Sequence, residues 1–312
     1  MINIATVFSG IGTPELALQS MNIEHNVLFA AEIDKYARET YLNNCKLPNK
    51  FYTDVSKIDG SMYSGQVNLF VGGSPCQSFS MAGKRGGFKD TRGTLFYEYV
   101  RLIKEIQPDV FIYENVKGIQ SHDKGKTFNI VLNTFKELNY FFKWNILNTA
   151  DYGIPQNRER FYCVGFKNKM FYDDFNFEKP YKLKTSWRDF VLIEKKVNPK
   201  FTLTEKNYKH YNRSFGSKGK NITDMRICPT LTESMGTGGG NVPYFKSEIK
   251  IEGETQFRKL TPRECFNLQG FDDSFKFPSN MSNGRLYKQA GNAMSLNILK
   301  MIIKKLREIN AI

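Results

Sequence analysis

The chain has 312 residues, 40% of them hydrophobic, and a formal charge of +14 from 45 Lys and Arg against 31 Asp and Glu. That apolar content excludes a disordered chain, and the length suggests two domains. No run approaches the roughly 18 apolar residues of a membrane span, and the basic surplus points to a polyanionic partner.

Met1–Val7 is apolar but short. It lacks a preceding basic region and a following small-residue cleavage site, so it reads as a first strand of a cytoplasmic protein, not a signal peptide. The strand Ile2–Phe8 turns at Ser9-Gly10-Ile11-Gly12, and Pro14 can open a helix, where its missing N–H costs nothing. Val27–Ala31 is a second apolar run ending at Glu32, and Leu69–Gly72 a third. Leu95, Tyr99, Leu102, Ile103 and Ile106 recur at helical spacing before Pro108. Val110–Tyr113 is a strand ending at Glu114, and Phe128, Leu132, Phe135 and Leu138 mark another helix. Phe141–Leu147 and Phe161–Phe166 read as the last strands. Such alternation predicts an α/β, doubly wound sheet, with ligands at the carboxyl ends of its strands. From 179 to 260 the character changes: seventeen Lys and Arg stand against eight Asp and Glu. Phe201, Tyr208, Tyr211, Phe215, Tyr244 and Phe245 supply apolar anchors for a small, loop-rich domain. Thr261, Pro262 and Glu264 form a capping-box helix start, and Ile298, Leu299, Ile302, Ile303 and Leu306 a C-terminal helix. Five cysteines without a CxxC pair, and three histidines without HExxH, argue against a disulfide framework and against a metal site.

Three motifs carry the chemistry. Gly73-Ser74-Pro75-Cys76 puts a thiol after a strand, Glu114-Asn115-Val116 puts a carboxylate after another, and Gln156-Asn157-Arg158-Glu159-Arg160 supplies two guanidiniums. A thiolate, a carboxyl and a guanidinium can attack and hold an electron-poor ring. In this order, with Phe8-Ser9-Gly10-Ile11-Gly12 before and Gly291-Asn292-Ala293 after, they resemble the DNA cytosine carbon-5 methyltransferases, of the bacterial or phage restriction-modification type. The resemblance spans roughly 1–166 and 256–306. It implies a Rossmann-like S-adenosylmethionine-dependent methyltransferase sheet. The discontinuous catalytic domain would be residues 1–178 plus 280–312, with a target-recognition domain at 179–279.

Glycines at 10 and 12 allow a tight turn and close ligand approach, and Glu32, 20 residues after Gly12, can accept from both ribose hydroxyls. Thr13-Pro14-Glu15 replaces the last part of the dinucleotide fingerprint. A pyrophosphate is therefore not indicated, whereas S-adenosylmethionine, with ribose and adenine but no phosphate, suits this turn. The resemblance maps cofactor contacts onto Phe8, Gly10, Gly12, Glu32, Ile33, Asp54, Leu95, Asn292 and Ala293, with S-adenosylhomocysteine as product.

Cys76 is the expected nucleophile toward carbon 6 of cytosine, and Glu114 the carboxyl near ring nitrogen 3. Arg158 or Arg160 can donate to the carbonyl of the base. By resemblance Arg160 directs the base and catalytic loop, while Arg158 supports substrate and thiol. A stacked base must be flipped out to react. The glycine-rich Ser78–Arg92 reads as a closing loop, with Ser80, Lys84, Arg85 and Arg92 toward DNA. Thr230-Leu231 resembles the family's Thr-Leu step, which implies a threonine on the DNA backbone. Duplex DNA is the expected partner and a monomer the simplest state; the enzyme either pairs with a restriction endonuclease encoded nearby or stands as an orphan. Two other readings stay open: a tRNA cytosine-5 methyltransferase, and a catalytically silent DNA-binding module.

Overall fold

The computed structural model describes residues 1–75, 95–192, 197–204, 220–236, 242–251 and 254–312. By packing, the chain divides into two units. The first comprises Met1–Leu147, Glu159–Lys179 and Ile298–Ile312, and the second Asn148–Arg158 and Pro180–Asn297.

The first unit is built on seven strands: β1 (Ile2–Val7), β2 (His25–Ala31), β3 (Lys50–Tyr52), β4 (Leu69–Gly72), β5 (Val110–Val116), β6 (Phe141–Asn148) and β8 (Glu159–Phe166). A short β7 (Gln156–Asn157) belongs to the second unit. The spatial order is β3-β2-β1-β4-β5-β8-β6. The five strands from β3 to β5 run parallel, and β8 pairs antiparallel with β5. β4 is buried along its whole length, as expected of a central parallel strand covered on both faces.

Helices α1 (Thr13–Ser20), α2 (Lys35–Asn44), α3 (Leu95–Ile106), α4 (Lys126–Lys136) and α5 (Lys169–Asp174) belong to this unit. Pro14 sits in the first turn of α1, as its sequence predicts, and Asp34 caps α2 by accepting from the Tyr36 amide at 2.9 Å. α3 buries Phe96, Tyr99, Val100, Leu102, Ile103 and Ile106. Tyr99 stacks on Phe70 at 5.0 Å, and Phe96 meets Tyr113 and Phe135 edge-on. Such ring pairs contribute about 0.5–1.5 kcal/mol each beyond their burial.

One expected boundary moves. β5 does not stop at Glu114 but runs through Val116, because Glu114, Asn115 and Val116 pair with Tyr162, Phe161 and Arg160 of β8. Glu114 therefore stands inside a paired strand, which fixes its backbone more tightly than a loop would.

In the second unit, β9 (Thr202–Thr204), β10 (Lys220–Asn221), β12 (Pro243–Ile251) and β13 (Glu254–Lys259) form a sheet in the order β10-β12-β13-β9. β11 (Cys228–Pro229) pairs in parallel with β7. The lysine-rich stretch thus contains strands that its faded alternation did not announce. Helices α6 (Pro262–Asn267) and α7 (Asn283–Asn292) follow, and α8 (Leu296–Glu308) leads back into the first unit. α6 starts at the predicted capping box: Glu264 donates its amide to Thr261 Oγ1 and accepts from the Thr261 amide at 2.6 Å. Among the described residues no helix is long and apolar enough to cross a membrane.

Candidate active site

The turn after β1 is strained. Phe8, Gly10 and Gly12 have φ of 53°, 53° and 84°. A left-handed non-glycine residue costs roughly 1–3 kcal/mol and persists only where surroundings fix it. Here the Ser9 amide and hydroxyl both donate to the Ala31 carbonyl, at 3.0 and 3.1 Å, and the Gly12 amide donates to Ser9 O at 2.9 Å. Below the turn, Thr6 Oγ1 lies 2.8 Å from Ser9 Oγ and donates to Glu15 Oε1 at 2.6 Å, where Tyr41 OH also donates at 2.9 Å. Glu15 is fully buried, and that burial pushes its carboxyl pKa up. Sequence reasoning missed this network. Its only signal was an acid in the first turn of an otherwise uncharged helix.

Glu32 accepts from the Gly10 amide through Oε2 and from the Asp34 amide through Oε1, both at 2.8 Å. Its carboxylate is thus aimed at the glycine turn. Among the described residues, a Cβ built on Gly10 would meet nothing within 4 Å, so they leave open space over it. Ile33 is 80% exposed, a large apolar side chain beside the acid. Asp54 caps the short turn at Val55–Lys57. The Ser56 hydroxyl and amide hold its carboxyl below the usual carboxylate range. Leu95 opens α3 and is half-buried against the core. Open space over glycine, a fixed carboxylate and an exposed apolar face fit an adenosyl group. Asn292 and Ala293 lie in the second unit, where Asn292 Nδ2 donates to Glu233 Oε2 at 3.3 Å.

Cys76, Ser80, Lys84, Arg85 and Arg92 lie outside the described residues. The stem leading to Cys76 is described. Ser74 Oγ lies 2.8 Å from Tyr113 OH, and Asn115 Nδ2 donates to Ser74 O at 3.0 Å and to Tyr113 OH at 2.9 Å. Ser74 and Asn115 are both buried. Residues on either side of Glu114 therefore hold the backbone two residues before the thiol. Glu114 Oε1 lies 3.3 Å from Arg160 Nε, with each side chain 14% exposed. Arg160 also donates to the Glu159 carbonyl at 2.8 Å.

Arg158 points elsewhere. The residue is 2% exposed, and its guanidinium donates to the carbonyls of Leu231, Gly291 and Ala293 at 3.0, 3.0 and 2.7 Å, all in the second unit. Thr230 Oγ1 donates to Asn157 O at 2.5 Å, which sets the Thr-Leu step beside the Gln-Asn-Arg string.

The profile of the C-5 cytosine-specific DNA methylases matches residues 2–308. The chain belongs to this family. It is an S-adenosylmethionine-dependent DNA cytosine-5 methyltransferase. It is 37% identical over 320 residues to the Type II methyltransferase M.Bsp6I of Bacillus sp. (strain RFL6), covering 98% of each chain. It is 35% identical over 308 residues to the Type II methyltransferase M.HhaI of Haemophilus parahaemolyticus, covering 95% of this chain and 91% of that one. Among solved structures, a mutant of Spodoptera frugiperda DNMT2 superposes with a TM-score of 0.78 at 20% identity, covering 98% of this chain and 100% of that one. The S. pombe Dnmt2 methyltransferase gives 0.77 at 20% identity, covering 99% of each. At that identity the likeness shows the fold.

Proposed function

We propose that this methyltransferase modifies a cytosine within a fixed short sequence of duplex DNA, as the modification partner of a restriction endonuclease encoded nearby. The observation that carries the reading is the Glu114–Arg160 pair, whose Glu114 lies between Tyr113 and Asn115, the residues of β5 that hold the stem of Cys76. The target base leaves the duplex, because a stacked base cannot offer carbon 6 to a thiolate. Cys76 adds its thiolate to carbon 6, and the ring electrons move so that carbon 5 becomes the nucleophile. Glu114 at ring nitrogen 3 and Arg160 at the base carbonyl hold the charge that develops there. S-adenosylmethionine, when bound, supplies an electrophilic methyl group on a sulfonium. Carbon 5 then loses its proton to water or hydroxide, and expulsion of the Cys76 thiolate restores the ring double bond.

Phe8, Gly10, Gly12, Glu32, Ile33, Asp54, Leu95, Asn292 and Ala293 hold the cofactor, with Glu32 on the ribose hydroxyls and Asp54 on the adenine amino group. Residues 1–178 with 280–312 form the catalytic domain, and 179–279 the target-recognition domain. The lysine surplus of that segment supplies salt-sensitive phosphate binding. Ser80, Lys84, Arg85, Arg92 and Thr230 complete the DNA contacts. One copy in the cytoplasm suffices, since one flipped base needs one site.

The test is transfer of labelled methyl from S-adenosylmethionine to unmethylated duplex DNA and, in parallel, to unmodified tRNA, with base-resolution mapping. Label at carbon 5 of cytosine in one short DNA sequence is the expected result. Label in tRNA alone overturns it. Cys76→Ala retains duplex binding and loses turnover; methylation by that variant would sink the covalent mechanism.

A further inference from the structure

Gln156 and Arg158 are both buried, at 0% and 2% exposure, and they grip the same short segment. Gln156 Oε1 accepts from the Leu231 amide at 3.0 Å, while Arg158 Nη1 donates to the Leu231 carbonyl at 3.0 Å. Both backbone polar groups of Leu231 are thus held by side chains two residues apart. Arg158 Nη2 reaches further, to Gly291 O at 3.0 Å and Ala293 O at 2.7 Å. One guanidinium therefore bridges the Thr230-Leu231 step and the Gly291-Asn292-Ala293 turn. The two backbones also touch directly. A Cβ on Gly291 would lie 2.3 Å from Thr232 C and from Glu233 N. Gln156 Nε2 and Gln269 Nε2 extend the lattice, donating to Leu268 O at 2.6 Å and Ala290 O at 2.7 Å.

We infer that Arg158, seconded by Gln156, is a positioning residue that couples the Thr230-Leu231 step to the Gly291–Ala293 turn, so that DNA and cofactor each favour the other's binding. The inference rests on the proposed function, in which Thr230 meets DNA and Asn292 and Ala293 meet the cofactor. A guanidinium suits the task because it is always charged and fans several donors from one rigid plane. Bonds from a charged donor to a carbonyl are among the strong ones. A segment held this way at both ends cannot shift at one end alone, and a coupling between two sites is reciprocal.

The experiment measures the affinity of S-adenosylhomocysteine with and without cognate duplex, and of duplex with and without S-adenosylhomocysteine, for the full chain and for Arg158→Lys, Arg158→Ala and Gln156→Leu. Methyl transfer by the wild type in the DNA assay above checks the underlying function separately. The expected result is mutual tightening in the wild type by about tenfold or more, falling toward one in the Arg158 variants and part-way in Gln156→Leu. KM for both substrates rises more than kcat falls. Absent coupling in the wild type overturns the inference. So does full coupling in a folded Arg158→Lys or Gln156→Leu protein, or a loss confined to kcat, which would place Arg158 on the reacting base. Should Arg158→Ala fail to fold, the two milder variants decide.

Discussion

Glu114 and Arg160 face one another across the antiparallel β5–β8 pair, with Arg160 Nε 3.3 Å from Glu114 Oε1 and only 14% of either side chain exposed. At that depth, removing one partner strands the other's charge. Glu114→Gln keeps the shape but cannot carry the same proton, and it should lower single-turnover methyl transfer by about 10²–10⁴-fold with duplex binding retained. Arg160→Lys should recover little of the activity lost in Arg160→Ala, because a point charge does not replace a planar fork. Rapid-quench transfer of labelled methyl, alongside DNA binding, checks both.

Asn115→Ala removes one of the two side chains of β5 that hold Ser74, the other being Tyr113. It leaves a buried carbonyl unsatisfied, which costs roughly 1–3 kcal/mol. The Cys76 stem loosens with it, so kcat should fall although no reacting atom is touched. Urea denaturation and single-turnover kinetics on one preparation separate the two effects. A variant of wild-type stability and wild-type kcat would refute the scaffold role.

The two glycines of the turn after β1 should behave differently. A Cβ at Gly12 would sit 2.3 Å from Cys45 Sγ and 2.8 Å from a Tyr41 ring carbon, whereas at Gly10 it meets none of the described residues within 4 Å. Both positions have positive φ, which costs a residue with a Cβ roughly 1–2 kcal/mol. Gly12→Ala should therefore lower the melting temperature well beyond Gly10→Ala. Gly10→Ala should instead weaken S-adenosylhomocysteine binding by calorimetry, since its methyl group enters the space proposed for the cofactor.

Glu15 predicts a pH effect. Burial raises its folded-state pKa above the unfolded value, so its contribution is fully present below the unfolded pKa and is lost as pH rises through the folded one. Glu15→Gln cannot ionise. The variant should gain on the wild type as pH rises between those two values, by up to about 1.4 kcal/mol per pH unit. Urea midpoints from pH 4 to 8 test this; a constant difference across the range would show that Glu15 titrates as an ordinary carboxylate.

In the second unit, Glu264 accepts from Arg258 Nη1 and Nη2 at 2.9 and 2.8 Å, and from the amides of Thr261 at 2.6 Å and Leu192 at 2.8 Å. Glu264→Ala leaves a buried guanidinium without this carboxylate, a loss of about 3–5 kcal/mol. Thermal unfolding should show it directly. Removing both partners, in Arg258→Met with Glu264→Leu, should cost less than the single change, because no uncompensated charge remains.

Local signals survive in sequence where they depend on neighbours along the chain. Pro14 after a glycine turn and the Thr261–Glu264 box mark helix starts because the capping groups lie within one turn. The strand Leu69–Gly72 is legible because a fully buried strand must be apolar throughout. The end of β5 was not legible, because Glu114 to Val116 remain in the strand only through pairing with β8, more than forty residues later. The strands of the lysine-rich stretch were hidden for the same reason. A sheet with a small core, Val242 and Tyr244 with Leu203 and Phe257, needs few apolar residues and leaves little periodicity.

The sequence by itself determined the family: a Pro-Cys thiol, a carboxylate, paired arginines and a glycine turn followed by an acid stand in an order that names the reaction class. The proposed covalent catalysis demands particular functional groups, and those are written in residue types. Only the tertiary structure decided what the two arginines touch. Two arginines separated by one residue read alike, yet Arg160 meets Glu114 while Arg158 braces three carbonyls. Successive side chains of an extended segment leave in set directions, and only packing distant in sequence settles which charge each one finds.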